Sequence, residues 1–288
     1  MSDTFNPKAV MFRKSLRNTG VAIGGTVLIA MILIAIFAPL IAPHSPFDQD
    51  LSRRFLPPFW HDRSVAEHWL GTDQLGRDYL SRLIYGTRVS LGVGAGVVLV
   101  SGVIGISLGL IAGYFGGWID MVISFLITTR LSLPIVLVAL AAAALGGASL
   151  RTLIIVLGLL LWDRFAVVTR AATQSLRSRE FIKGLRAVGA SRTRILFLEI
   201  LPNMQSAIIV VITLEIANVI LLEAALSFLG LGVRPPTPSW GLMISEGRGN
   251  ILFDPWLIAL PGAALCLLVL AVNLLGDGLR DIMGPAKK

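Results

Sequence analysis

Charged residues are scarce in this 288-residue chain. Asp, Glu, Lys and Arg make up 15% of it, against about 25% in an average soluble domain. Hydrophobic residues make up 55%, and 29 glycines add to the apolar total. Such a chain has too little polar surface to cover itself in water. The composition therefore excludes an ordinary soluble domain and predicts an all-α integral membrane protein.

Cysteine is almost absent, since Cys266 is the single one. It can form no intramolecular disulfide and no cysteine-based metal cluster. Because it lies in an apolar run, we expect a small residue shielded within the last span. The three histidines, His44, His61 and His68, show no metal-site spacing with a Cys or a carboxylate. The sequence therefore predicts no metal site and no catalytic residue.

A nucleotide-binding motif is also missing, because G-x-x-x-x-G-K-[ST] occurs nowhere in the chain. That loop cradles phosphates with its backbone N–H groups. The chain is therefore expected to hold no ATP, and any energy source must lie in another polypeptide.

Six apolar runs are long enough to cross a bilayer, which takes about 20 residues. They are 21–42, 89–119, 121–147, 150–169, 204–228 and 255–277. Between the first two, residues 43–88 predict an ordered extramembrane segment that becomes helical over 80–91. Arg130 interrupts the third run and is expected to snorkel or to face protein.

The second run carries glycines four residues apart, a spacing that lets helix backbones approach closely in lipid. Packing within the chain is favoured here over dimerisation. These glycines are Gly92, Gly96, Gly105, Gly109 and Gly113.

Basic residues give a net charge of +8, and their distribution indicates orientation. Lys and Arg are retained on the cytoplasmic side of membrane proteins. With both termini and 170–202 inside, and 43–82 and 230–254 outside, every lysine is cytoplasmic. These are Lys8, Lys14, Lys183, Lys287 and Lys288. The charge therefore indicates the topology of the chain in its membrane, and no nucleic-acid partner is expected.

The segment between the fourth and fifth runs predicts a helix, a break at Gly189 and a second helix. Glycine can end a helix in a left-handed conformation, and Ser191 can cap the next helix. Phe181, Leu185 and Val188 recur at helical spacing. The result is an amphipathic element that suits a groove on a partner.

This segment resembles the cytoplasmic loop of ABC-importer permeases, whose pattern is E-A-A-x3-G-x9-I-x-L-P. Gly189, Leu201 and Pro202 match it, whereas Lys183 and Glu199 replace Glu and Ile, and Gly184 and Leu185 replace the two Ala. The resemblance implies contact with an ATPase. The residues expected to make it are Glu180, Phe181, Gly184, Leu185, Gly189, Ala190, Leu201 and Pro202.

Three further stretches resemble the "C" subunits of dipeptide, oligopeptide and nickel permeases. They are WLGTDQLGRD at 69–78, EAALSFLGLG at 223–232 followed by PPTPSWG, and NLLGDGLRD at 273–281. The resemblance covers about 12–285. It implies a type I ABC importer permease fold of six transmembrane helices.

The resemblance also implies a division of the chain into five parts. These are an N-terminal tail (1–18), a first helix (19–42), a periplasmic segment (43–85), an ABC transmembrane type-1 domain (86–280) with its coupling loop (171–202), and a C-terminal tail (281–288). Implied partners are a second, homologous permease subunit, two ATPases that bind ATP and Mg²⁺, a periplasmic or lipoprotein solute-binding protein, and membrane lipid.

Polar residues inside the fifth run are candidates for the transport path. Glu215, Asn218 and Glu223 can line a cavity and interact with a peptide's backbone or amino terminus, because intramembrane carboxylates face water or the bundle interior. They can instead bond to neighbouring helices. This second interpretation is favoured for Glu223, and both stay open for Glu215.

Other functions are compatible with parts of the sequence. One is a channel or a proton-coupled carrier in which Glu215 titrates, but it leaves the 189–202 segment without a purpose. Another is a membrane enzyme. Within the resembling family, nickel or glutathione could be the cargo in place of di- or oligopeptides.

Overall fold

The computed structural model describes residues 18–146 and 149–283; the predicted tails at 1–17 and 284–288 lie outside this range. Within these ranges the chain is helical and forms no strand beyond one isolated bridge between Thr72 and Asp78. The main helices are α1 (Thr19–Ile41), α2 (Tyr79–Phe115), α3 (Gly117–Leu131), α4 (Ile135–Gly146), α5 (Leu150–Leu160), α6 (Asp163–Arg177), α7 (Glu180–Ala187), α8 (Gln205–Phe228), α9 (Trp240–Gly247) and α10 (Trp256–Met283).

Five helical stretches in the described ranges are long and apolar enough to span a membrane. They are α1, α2, α5 with α6, α8 and α10. A sixth crossing arises if α3 and α4 form one span, and these two helices meet at 83°. The six predicted spans are thus confirmed if α3 and α4 count as one crossing, and the third of them is broken between Leu131 and Ile135. Pro134 explains the break, because proline disfavours the helical conformation at the residue before it.

Helix α2 is longer than the second apolar run predicts. It begins at Tyr79, where Asp78 accepts a hydrogen bond from the Ser81 N–H at 2.8 Å and caps the helix. It ends at Phe115, since Gly116 has φ +67°, a conformation that favours glycine. The predicted helix over 80–91 is confirmed and is continuous with the span, so α2 is 37 residues long.

Three glycines of α2 lie directly against α6. A Cβ at Gly109 would stand 2.6 Å from the Thr169 Oγ1 and 2.7 Å from the Ala166 carbonyl oxygen, and Gly105 and Gly113 are equally crowded. The predicted packing within the chain is confirmed for these three glycines. Gly96 lies beside Ile154 of α5, whereas a Cβ at Gly92 would meet nothing within 4 Å. The three close contacts allow α2 and α6 to form an extensive helix pair.

The segment between α1 and α2, residues 42–78, is ordered, as predicted, and a buried ion cluster attaches it to the helices. The Arg77 Nε donates to the Asp73 carboxylate at 2.6 Å. Arg77 and Arg82 also donate to Glu246 of α9, at 3.2 and 2.7 Å. The two guanidinium groups are almost fully buried. The cluster therefore joins the outer segment, the start of α2 and α9.

Cys266 is exposed on the surface of the chain, so the prediction of a shielded core residue is wrong. Leu265 and Leu268 on the same helix are buried. Membership of an apolar run did not reveal which face of α10 the cysteine occupies.

The glycine stripe generates a stability prediction. We expect Gly109→Ala to lower the thermal midpoint of the purified chain, because its methyl group meets the backbone of α6 and overpacking costs about 1–3 kcal/mol. Gly92→Ala is the matched control, since a Cβ there meets nothing within 4 Å. Thermal unfolding of both variants in detergent measures the difference. Equal midpoints for Gly109→Ala and wild type would contradict the packing role.

Candidate functional site

The segment after α6 forms the expected helix, glycine break and second helical turn. Helix α7 ends at Ala187, and Gly189, two residues later, has φ +81°. The Gly189 N–H donates to the Arg186 carbonyl at 3.1 Å, and the Ala190 N–H to the Leu185 carbonyl at 3.0 Å. Ser191 then accepts from the Arg194 N–H at 3.3 Å. Both local predictions, the left-handed glycine and the serine cap, are confirmed.

The predicted apolar stripe of α7 divides between two environments. Phe181 and Val188 are exposed, the latter by 81%, whereas Leu185 is half-buried. The residue that holds α7 to the rest of the chain is Ile182, which is fully buried. Sequence reasoning missed Ile182, although its position three residues before Leu185 places it on the same side of the helix as that residue.

Ile182 belongs to an apolar cluster under the loop. The cluster joins α7 to the C-terminal end of α2 and to the residues that lead into α8. Its buried members are Leu110, Tyr114, Ile182, Ile195, Leu196, Ile200 and Met204. Leu185, Ala190 and Leu201 pack against it. The loop is therefore packed onto the ends of two spans.

The remaining predicted contact residues differ in exposure. Glu180, Gly184 and Pro202 are exposed, whereas Ala190 and Leu201 are partly buried. A π-helical turn, Ile195–Ile200, and the short helix Leu201–Asn203 connect the loop to α8. Some residues of the loop thus pack onto the spans while others are exposed, so one face of the loop is free.

Glu215 bonds to a neighbouring helix. Its carboxylate is 1% exposed, and its Oε1 accepts from the Arg164 guanidinium of α6 at 2.8 Å. Asn218 is exposed and its Nδ2 donates to the same oxygen at 3.4 Å. The sequence left open whether Glu215 faces water or a helix; in the structure its charge is paired with Arg164.

Arg164 is the polar group of this region that sequence reasoning missed. It is the second residue of α6 and lies within the stretch Leu150–Arg177. Its side chain is 56% exposed. A signal was present, because Arg164 is a charged residue inside the fourth apolar run, 150–169.

Glu223 lies near the other end of α8 and is fully buried. The Ser227 hydroxyl donates to its Oε1 at 2.7 Å. Ser227 belongs to α8 itself, so the bond that is favoured for Glu223, to a neighbouring helix, stays a prediction.

Arg130 faces protein, as one of the two predicted outcomes had it. Its Nε lies 3.3 Å from the Asp163 Oδ1 and also donates to the Leu160 carbonyl. That carbonyl lies at the break between α5 and α6, where helical bonding is interrupted.

The outer segment brings together His44, His68 and Asp78, which the sequence separates. Their potential ligand atoms lie within 4.8 Å of one another. The His68 Nδ1 is 2.9 Å from the Asp78 Oδ1, and the other Asp78 oxygen caps α2. Both carboxylate oxygens are thus used within the chain, which explains the cluster without an ion.

Comparison with known proteins identifies the family. Residues 105–288 match the family model described as the binding-protein-dependent transport system inner membrane component. Residues 7–58 match the N-terminal TM domain of oligopeptide transport permease C. The longer match covers more than half of the chain and includes the loop and all three polar residues of α8.

Curated relatives extend over nearly the whole chain. The dipeptide transport system permease protein DppC of Haemophilus influenzae is 41% identical over 94% of this chain and 92% of its own. The protein of the same name from Alkalihalophilus pseudofirmus is 43% identical over 96% of this chain and 89% of its own.

A solved structure confirms the fold. A chain of the inward-facing MetNI methionine ABC transporter superposes with a TM-score of 0.59, at 18% identity, over 71% of this chain and 97% of the other. This likeness supports the type I importer permease fold. The chain therefore belongs to the family of binding-protein-dependent transport system inner membrane components, the multi-pass permease subunits of ABC importers, which transport and do not catalyse.

Proposed function

We propose that this chain forms one half of the pathway by which an ATP-driven importer takes up peptides, most specifically di- or oligopeptides. The observation that carries the cargo class is the name of the relatives, which are dipeptide permeases at 41% and 43% identity. A second, homologous permease subunit supplies the other half, and a periplasmic or lipoprotein binding protein delivers the peptide.

The loop centred on Gly189 is the proposed contact with the ATPase. Phe181 and Val188 offer exposed apolar area for a groove, while Ile182 fixes the same helix to α2. Motion of the ATPase would then reach the spans through packed side chains. ATP and Mg²⁺ belong to that partner in this proposal, and the chain itself holds no cofactor.

The proposed orientation puts both termini and the Gly189 loop in the cytoplasm of a bacterial cell. Its support is the lysine distribution, because cytoplasmic loops retain Lys and Arg. The helices agree in number, since six crossings return the chain to its starting side.

The pathway is proposed to run past Arg164 and Asn218. Both side chains are exposed within spans, where contact with lipid is costly for polar and charged groups. Glu215 acts there through Arg164, since its own carboxylate is buried.

Substitution of Gly189 tests the coupling role. A β-branched residue in the left-handed conformation costs about 1–2 kcal/mol, so Gly189→Val should reduce the docking-competent population about five- to thirtyfold. We expect a matching loss of peptide uptake in proteoliposomes, with weaker ATPase copurification or with the ATPase docked but idle. A Cβ at Gly189 meets nothing within 4 Å, so the bundle should stay intact.

Gly230→Val is the matched control, because Gly230 has φ +79° and equally open surroundings but ends α8 at the proposed outer side. It should keep the ATPase bound. Full uptake by a Gly189→Val complex at normal permease yield would overturn the coupling proposal.

Single reporter cysteines test the orientation. In a Cys266→Ser background, Trp60→Cys and Leu252→Cys should react with an impermeant maleimide added outside whole cells, and Val188→Cys only after the membrane is opened. All three positions are well exposed, at 50%, 87% and 81%. Labelling of Val188→Cys in intact cells would refute the topology.

A further inference from the structure

Arg164 lies exposed within a membrane span. It belongs to the 28-residue stretch Leu150–Arg177, and 56% of its side chain is accessible. A charge inside a span is costly and is found facing protein or a water-filled cavity. The accessible part of Arg164 therefore faces a hydrated space or another subunit.

The guanidinium group keeps most of its donors free. It has five N–H groups in a planar fork, and the one acceptor found for them in the described residues is the Glu215 Oε1. Glu215 is buried and faces no open space. The pair thus holds Arg164 in place and presents N–H groups, not a carboxylate, to whatever lies beside it.

A cavity lies one helical turn from this position, although neither Arg164 nor Asn218 lines it. Val168 lies one helical turn after Arg164, and Leu214 one turn before Asn218, so each shares a face with its partner. Val168 and Leu214 line a mostly apolar cavity of about 400 Å³ that extends to Arg280 of α10.

The chemistry of Arg164 suits one end of a peptide. Guanidinium groups bind carboxylates with two parallel hydrogen bonds, and a peptide has one free carboxylate at its C-terminus. The amino terminus would need an accessible acid, and the nearest carboxylate, Glu215, is buried and already paired.

We propose that Arg164, held by Glu215, is a binding site for the C-terminal carboxylate of a peptide as it passes through the membrane. This inference rests on the proposed function. It assigns contact with the peptide to an arginine, whereas the sequence suggested such contact for the polar residues of α8.

The test compares a tripeptide, trialanine, with its C-terminal amide on the full transporter complex without binding protein. The complex carries Leu214→Cys in a Cys266→Ser background, in nanodiscs of phosphatidylethanolamine and phosphatidylglycerol. Leu214 is exposed in the cavity, so a bound peptide should slow its reaction with maleimide. We expect protection by trialanine at about one-tenth of the concentration at which the amide protects, as loss of a charged hydrogen bond implies.

Arg164→Gln combined with Glu215→Gln removes the pair without leaving a buried charge. We expect this variant to make trialanine and its amide equivalent, and Arg164→Lys to restore part of the difference. Arg151→Gln is the matched control, since it removes an exposed arginine from the outer end of the same span and should leave the difference unchanged.

Two results would overturn the inference. One is equal protection by the acid and the amide in the complex with Arg164 intact. The other is a loss of the second permease subunit from the double variant with the acid–amide difference preserved, which would show that Arg164 binds a carboxylate of that subunit. A separate experiment tests the proposed function itself: uptake of radiolabelled trialanine by the reconstituted complex with its binding protein. A transporter for another cargo would take up no trialanine. A peptide transporter in which Arg164 plays no part would still take it up.

Discussion

The close contact between α2 and α6 is the constraint on which the other features depend. Gly105, Gly109 and Gly113 bring the two backbones so near that a methyl group does not fit. Without water in the bilayer, association of spans relies on such close packing. Helix α2 reaches from the ion cluster around Arg77 and Arg82 to the apolar cluster around Ile182. Its contact with α6 therefore sets the positions of both ends of α2.

Helix α6 carries this constraint to the two proposed functional features. Arg164 lies near its start, and the loop with α7 follows its end at Arg177. Ile182 then returns the chain to the inner end of α2 through the apolar cluster. A movement at the exposed residues of α7 therefore acts on α2, α6 and the start of α8 together. Packed interiors transmit such displacements because they are poorly compressible.

Local features of the sequence predicted local structure well. Gly189 and Ser191 act on backbone groups within a few residues, so their conformations follow from residue type. The glycine spacing in α2 predicted a contact face, since helical periodicity fixes which residues align. The six apolar runs predicted the number of crossings because the bilayer sets a required length.

Contacts between distant residues could not be predicted in the same way. Arg164 and Glu215 are 51 residues apart, and Arg82 and Glu246 are 164 apart. Their pairing depends on how the helices rotate and pack, which composition does not specify. The exposure of Cys266 and the burial of Ile182 depend on the same rotations.

The break between α5 and α6 explains why the adjacent charged residues Asp163 and Arg164 differ in exposure. Helical bonding stops at Leu160, and its free carbonyl accepts from Arg130, which also lies beside Asp163. Asp163 is buried beside Arg130, whose guanidinium donates to its Oδ2 at 3.3 Å. Its neighbour Arg164 projects in another direction, so Glu215 balances its charge while leaving its side chain accessible. A buried pair on one side and an exposed guanidinium on the other are therefore consequences of one interruption in the span.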